Sequence, residues 1–192
     1  MKKQLHIRVI PLLTLLLVVA ITAGIYFTYG RHPERLAEFK NYAYGGAFLV
    51  SFLGNATIIL PSVVLVILTN MGIVLYATTG PAGPIILGVV GGIGAAIGEI
   101  TGYLAGRSGR TIVLGHKSYA RMEGWLNKWG AITIFLISVV PLLFDLVGIA
   151  AGTLRFPIWK FILLCAMGRV ILYVAIILGA TLGWQTLLPY FG

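Results

Sequence analysis

The chain has 192 residues, of which 59% are hydrophobic and only 10% charged, with 14 Lys and Arg against 5 Asp and Glu. A soluble domain needs about 25% charged residues to keep its surface wet, so this composition excludes a soluble globular protein and indicates an all-α, polytopic membrane protein. The net charge of +9 does not indicate nucleic acid, because the cations sit at the edges of apolar runs, where lipid headgroups receive them, and no basic patch is interleaved with aromatic residues for stacking on bases.

Met1-Lys2-Lys3 and Arg8 precede an apolar run from Val9 to Tyr29. The run exceeds the ~7–15 residues of a signal-peptide core, and a retained N-terminal transmembrane helix over 1–30 is expected. Arg31 to Lys40 carries Leu36 and Phe39 three residues apart, the pattern of a short interfacial amphipathic segment. From Asn41 to Gly98 there is no formal charge. This stretch is nevertheless broken: Gly54, Asn55 and Pro61 interrupt the run 48–68, and Asn70-Met71-Gly72 stops it. A proline removes a backbone donor and disrupts the turn before it, and a membrane tolerates such a break only where protein or a water-filled cavity satisfies the freed groups. The spacing therefore predicts a re-entrant hairpin over about 48–79, with a kinked spanning helix as the alternative.

Gly80-Pro81-Ala82-Gly83-Pro84 is a firm break, and Pro84 suits the first turn of a helix. A full span is predicted over 85–107, with Gly88, Gly91, Gly92, Gly94, Gly98, Gly102 and Gly106 at spacings that let another helix come close. The polar segment 107–128 follows, with Arg107, Arg110, Lys117, Arg121 and Lys128 against Glu123. Tyr119, Met122, Trp125, Leu126 and Trp129 recur at helical spacing, as in an amphipathic helix lying at the headgroups. Ala131 to Val140 runs into Pro141 after about half the length of a spanning helix, which predicts a second re-entrant hairpin over 131–154. A long final helix starts at Ile158.

The basic N-terminus places that end in the cytoplasm. One crossing per full helix then brings the first hairpin in from outside and the second from the cytoplasmic side. The expected architecture is an inverted repeat of two re-entrant hairpins, each followed by a transmembrane helix, which many transporters use to present one central site to either face. The N-terminal helix (1–30) and a membrane domain (31–192) make up the chain.

An ionised side chain at mid-membrane costs ~2.5–3.5 kcal/mol on insertion scales. Glu99, Asp145 and Arg169 are the candidates for that position. They could line a polar cavity that takes a proton or cation beside an anionic headgroup, or Arg169 could form a structural salt bridge with one carboxylate. Gly102, Tyr103 and Gly106 share the Glu99 face, so the glycines would leave room beside the carboxylate and Tyr103 would offer a hydroxyl. Arg107 and Arg155 would attract an anionic headgroup at the cytoplasmic side, since the guanidinium fork suits phosphate. A snorkelling anchor is the plainer role for Arg107. Asn55 is the one strongly polar side chain before Pro61 in the first hairpin. Cys165 has no partner for a disulfide, and no histidine pair has metal-ligand spacing. With no G-x-S-x-G elbow, Walker loop or H-E-x-x-H, neither an enzyme nor a cofactor or metal is expected.

The run Gly98-Glu99-Ile100-Thr101-Gly102-Tyr103-Leu104-Ala105-Gly106-Arg107-Ser108-Gly109 resembles the glycine-rich acidic motif of the DedA / SNARE-associated Golgi protein (VTT domain) family. Val140-Pro141-Leu142-Leu143-Phe144-Asp145-Leu146-Val147, followed by Ala150-Ala151-Gly152 and Phe156-Pro157, is similar to its second and more specific motif. Gly168-Arg169 resembles its final helix. The likeness covers roughly 45–180, and Phe144-Asp145 fits the eukaryotic-type VTT branch better than the bacterial one. The resemblance implies two opposed re-entrant hairpins and lipid transport, either phospholipid scrambling or recycling of polyprenyl phosphate. Bacterial members typically carry an acid after Pro-Gly in the first hairpin, whereas this chain reads Leu60-Pro61-Ser62-Val63. A proton- or ion-coupled small-solute transporter and a non-transporting assembly factor are the alternative functions, and a homo-oligomer is compatible with any of the three.

Overall fold

A computed structural model describes residues 33–56, 61–108, 124–126, 128–140 and 144–187. The described residues are helical with short turns and contain no strand. Seven helices are described: α1 Pro33–Ala56, α2 Pro61–Thr79, α3 Ala82–Gly98, α4 Ile100–Arg107, α5 Ala131–Ser138, α6 Phe144–Thr153 and α7 Ile158–Leu187. The expected N-terminal helix and most of the basic segment 107–128 lie outside the described residues.

Prolines start the helices where a missing N–H costs nothing. Pro33 and Pro61 open α1 and α2, and Pro84 falls in the first turn of α3. Glycines end them. Gly80 has φ +58° and its N–H donates to Tyr76 O at 2.9 Å, the left-handed helix stop that glycine adopts without strain. The 31–40 segment is not a separate interfacial piece, because Pro33 begins a single 24-residue helix that runs to Ala56.

α3 and α4 form one column, since Glu99 between them still donates to Ala95 O and accepts from the Tyr103 N–H. This 26-residue column and α7 (158–186) are long and apolar enough to cross a membrane. They run antiparallel at backbone contact. A Cβ on Gly88 would lie 2.7 Å from Val174 Cα, and one on Gly92 would lie 2.6 Å from Val170 Cα. The glycines read from the sequence as packing positions are used as such.

On the opposite flank α1 runs parallel to α3, with Gly94 against the Phe48 backbone and Gly98 against Phe52 and Asn55. α2 returns antiparallel, with Leu68 beside Gly91 and Leu75 beside Gly83. α1 and α2 are thus a helical hairpin whose turn lies at the level of Gly98–Thr101, where Thr101 Oγ1 donates to Ala56 O at 3.1 Å. The column continues to Arg107, roughly 9 Å beyond that turn at 1.5 Å per residue. The second pair is shorter. α6 lies parallel to α4, Gly106 facing Ile149 and Gly152 facing Tyr103 and Arg107. α5 rests on α7, with Gly168 against Phe135 and Ser138.

Two apolar clusters result. One joins α1, α2, α3 and α7 through Ala47, Val64, Leu68, Leu75, Leu87, Tyr173 and Ile177. The other joins α4 to α7 through Tyr103, Ile134, Val147, Ala150 and Phe161. The polar residues Glu99 and Arg169 lie between them.

Candidate functional site

Glu99 is only 2% exposed and Arg169 only 1%. Arg169 Nη2 donates to Glu99 Oε1 at 2.5 Å across 70 residues of sequence. Taking both charges out of water costs several kcal/mol per ion, which close pairing and further hydrogen bonds must offset. The column places Glu99 at the α3–α4 joint, and α7 places Arg169 near its middle.

One turn along α7 from Arg169 lies Tyr173, wholly buried. Its hydroxyl accepts from Asn55 Nδ2 at 3.0 Å, and the same amide nitrogen donates to Ser51 O at 2.8 Å. Asn55 therefore stays in the last helical turn of α1 and links the first hairpin to α7. Asn55 Oδ1 and Ser51 Oγ are buried with no hydrogen-bond partner among the described residues. One turn the other way lies Cys165, buried beside Glu99, Arg169 and Ser138. Cys165, Arg169, Tyr173 and Thr181 share one buried face of α7. Tyr173, Ser51 and Ser138 were not singled out from the sequence, although four-residue spacing from Arg169 was a usable signal for Tyr173.

Toward the Arg107 end, Tyr103 donates its hydroxyl proton to Phe156 O at 2.5 Å and accepts from Arg107 Nη1 at 3.1 Å. Its ring stacks on Phe161 with centroids 5.2 Å apart. Tyr103 thus ties α4 to the turn before α7 and aims Arg107 at that turn. Gly106 and Gly152 receive the opposing helix backbone, so these two glycines serve the close packing of α4 on α6.

Arg155 stands in the same turn with φ +52°. Its N–H donates to Gly152 O and that of Phe156 to Ala151 O, the paired bonds of a Schellman stop whose left-handed position is usually glycine. An arginine there costs about 1–2 kcal/mol, and conformational strain of this kind gathers at functional positions. Arg155→Gly should raise stability by about 1 kcal/mol, read from reversible unfolding in mixed micelles. A loss of stability would show that the arginine serves packing instead.

The structure brings Glu99 together with Arg169, Tyr103 with Arg107 and with the Phe156 carbonyl next to Arg155, and Asn55 with Tyr173. Asp145 lies in the first turn of α6, but its side-chain surroundings are outside the described residues, as are Pro141 and the side chain of Pro61. The described helix ends on either side of the two breaks nonetheless fall near one depth. Gly148 faces Glu99 and Tyr103, so the start of α6, one turn earlier, lies about 6 Å from that level, and Ser138 at the end of α5 packs on Gly168.

The VTT domain family matches residues 60–181, most of the chain. The chain belongs to the VTT-domain (DedA) family. The VTT-domain match takes in both prolines, the glycine column and the Glu99–Arg169 pair. Among curated relatives, an alkaline phosphatase-like protein of Lactococcus lactis subsp. lactis (strain IL1403) is 30% identical over 119 residues. Undecaprenyl phosphate transporter A of Bacillus subtilis (strain 168) is 30% identical over 124 residues. Each alignment covers 60% of this chain and 55% of the relative, so the chain spans about half the length of the curated relatives it matches. No solved structure matches this VTT-domain chain.

Proposed function

We propose that this chain is a multi-pass membrane carrier, not an enzyme, which moves the anionic headgroup of a lipid past Glu99 and Arg169. The buried ion pair near the depth where α1 ends and α6 begins is the observation that carries this reading. Ionisable groups held inside a membrane-crossing bundle mark substrate or ion pathways, and an arginine suits a phosphate oxyanion. The family supports a membrane transporter, and the name of the Bacillus subtilis relative supports a polyprenyl phosphate as the lipid, with phospholipid as the second candidate.

In this reading the α1–α2 and α5–α6 pairs are re-entrant hairpins entering from opposite faces. Together with the α3–α4 column and α7 they form an inverted repeat within a domain over 31–192, preceded by a transmembrane helix over 1–30 with its N-terminus in the cytoplasm. A hairpin turning roughly 9 Å short of the column's end supports this for the first pair. Glu99, Arg169 and Asp145 form the midpoint, Asn55 contacts the path from the first hairpin, and Tyr103 positions Arg107 beside Arg155 at the cytoplasmic rim.

The test is lipid movement in liposomes holding the purified protein, with NBD-labelled lipid and external dithionite. Quenching of both leaflets without an ion gradient is the expected result. Quenching confined to the outer leaflet, with or without a proton gradient, would sink the reading. Outer-leaflet quenching that extends inward only under a gradient would instead make the carrier proton-coupled.

A further inference from the structure

A groove of about 330 Å³ opens between the 124–129 segment and α5, lined by Trp125, Trp129, Ile132, Thr133, Leu136 and Ile137. Its shape is fixed from both sides. Thr133 Oγ1 donates to Trp125 O at 3.0 Å, and Leu126 is buried in the cluster beneath. Gly130, at φ +51°, makes the corner that sets the segment across the start of α5. Trp129, Ile132 and Leu136 are each more than half exposed, so the groove opens sideways, outward from the bundle.

The charges of the described residues at this end are one-sided. Lys128 Nζ lies 5.6 Å from the centre of the Trp129 ring, and Lys160 Nζ lies 5.2 Å from that of Trp159. Ile134 of α5 shares a cluster with Phe161 of α7 while Ser138 meets Gly168. The two helices therefore start at one level, and both Lys–Trp pairs stand at the depth where aromatic residues meet headgroups. Lys128, Lys160, Arg107 and Arg155 are exposed, and none pairs with a carboxylate among the described residues. A second copy of a chain with net charge +9 would bring further cations to this end. An anionic lipid would bring the missing charge.

We propose that this groove holds a hydrocarbon chain of an anionic lipid, with the headgroup at Lys128. The assignment rests on the lipid-carrier reading and adds to it a lateral station where a lipid waits beside the second helix pair. Lipid tails are as apolar as the groove, so the chain gains little by leaving the bilayer, and selectivity comes from the headgroup charge. One lysine near a charged surface is worth about 1 kcal/mol, or about fivefold in relative affinity.

The experiment uses the full chain carrying Trp159→Phe and Trp184→Phe, so that Trp125 and Trp129 report. It is reconstituted in phosphatidylcholine with a fixed fraction of dibrominated phosphatidylglycerol or dibrominated phosphatidylcholine. Quenching should favour the brominated anionic lipid by about fivefold, and Lys128→Gln should at least halve that ratio. Leu136→Trp, which fills the groove in the unsubstituted chain, should displace the anionic lipid retained on purification. Equal quenching by both lipids, meaning annular lipid only, would overturn the proposal. So would no quenching by either, meaning that protein covers the groove, or a preference unchanged by Lys128→Gln. Selective quenching in a protein that moves no lipid would leave the groove assignment standing and remove the carrier reading. Lipid movement without selectivity would do the reverse.

Discussion

Arg169→Ala should lower the stability of the bundle by about 3–5 kcal/mol, because it takes the guanidinium away from the buried Glu99 carboxylate. Reversible unfolding in mixed micelles would measure this. Removing both members, as in Glu99→Met with Arg169→Met, should recover most of the loss, since a buried pair replaced by apolar residues of similar volume is often neutral or stabilising. The double variant also separates two roles for the pair. A pair that only fastens α7 to the column predicts a double variant that is stable and still moves lipid. A pair that meets the headgroup predicts one that is stable and inactive, which is the expected result. Full activity in the stable double variant would remove Glu99 and Arg169 from the pathway.

Gly152→Ala should cost about 3 kcal/mol, the upper end for overpacking. The added methyl would run into Tyr103 O and lie 2.8 Å from the Arg107 backbone nitrogen, and backbone cannot turn aside as a side chain can. Gly179→Ala, also helical, has nothing within 4 Å and should be neutral or gain about 1 kcal/mol from helix propensity. A similar cost at both sites would mean that α4 and α6 are not in backbone contact. The same comparison tests the bond from Tyr103 to Phe156, because a displaced α6 would carry that turn with it.

The sequence marked the helix limits well where proline or a left-handed glycine enforces them. Pro61, Gly80 and Gly130 all stand at ends because the backbone allows little else there. It was less informative where a polar residue satisfies itself within the helix. Gly54 and Asn55 were read as part of a break, yet Asn55 returns its amide to Ser51 O and α1 continues to Ala56. Gly45 and Gly46 likewise leave α1 intact and have nothing within 4 Å, so they are not contact glycines. The 31–40 segment carries charges that suggested a separate interfacial piece, but no residue between Pro33 and Ala56 forces a stop.

The candidate site was legible in its parts and not in its pairing. Charges inside apolar runs singled out Glu99 and Arg169, but bringing Arg169 onto Glu99 needs the antiparallel setting of α3 and α7. The glycine spacing that identified the packing faces also suggested space beside Glu99. Which of these a glycine provides depends on the opposing surface, and at Gly106 that surface is the backbone of α6.

The glycine seam between α3 and α7 has a mechanical consequence. Helices that mesh through large side chains lock their register, because sliding must lift each knob out of its hole. At Gly88 and Gly92 there are no knobs on the α3 side, so close approach comes with little resistance to axial slip. Register along this seam then depends on directional contacts, chiefly Arg169 with Glu99 and, through α1, Tyr173 with Asn55. A headgroup that competes for Arg169 would loosen the pin that indexes α7 against the column, and a slip of one helical turn, about 5.4 Å, would carry the arginine toward the next level of the bundle.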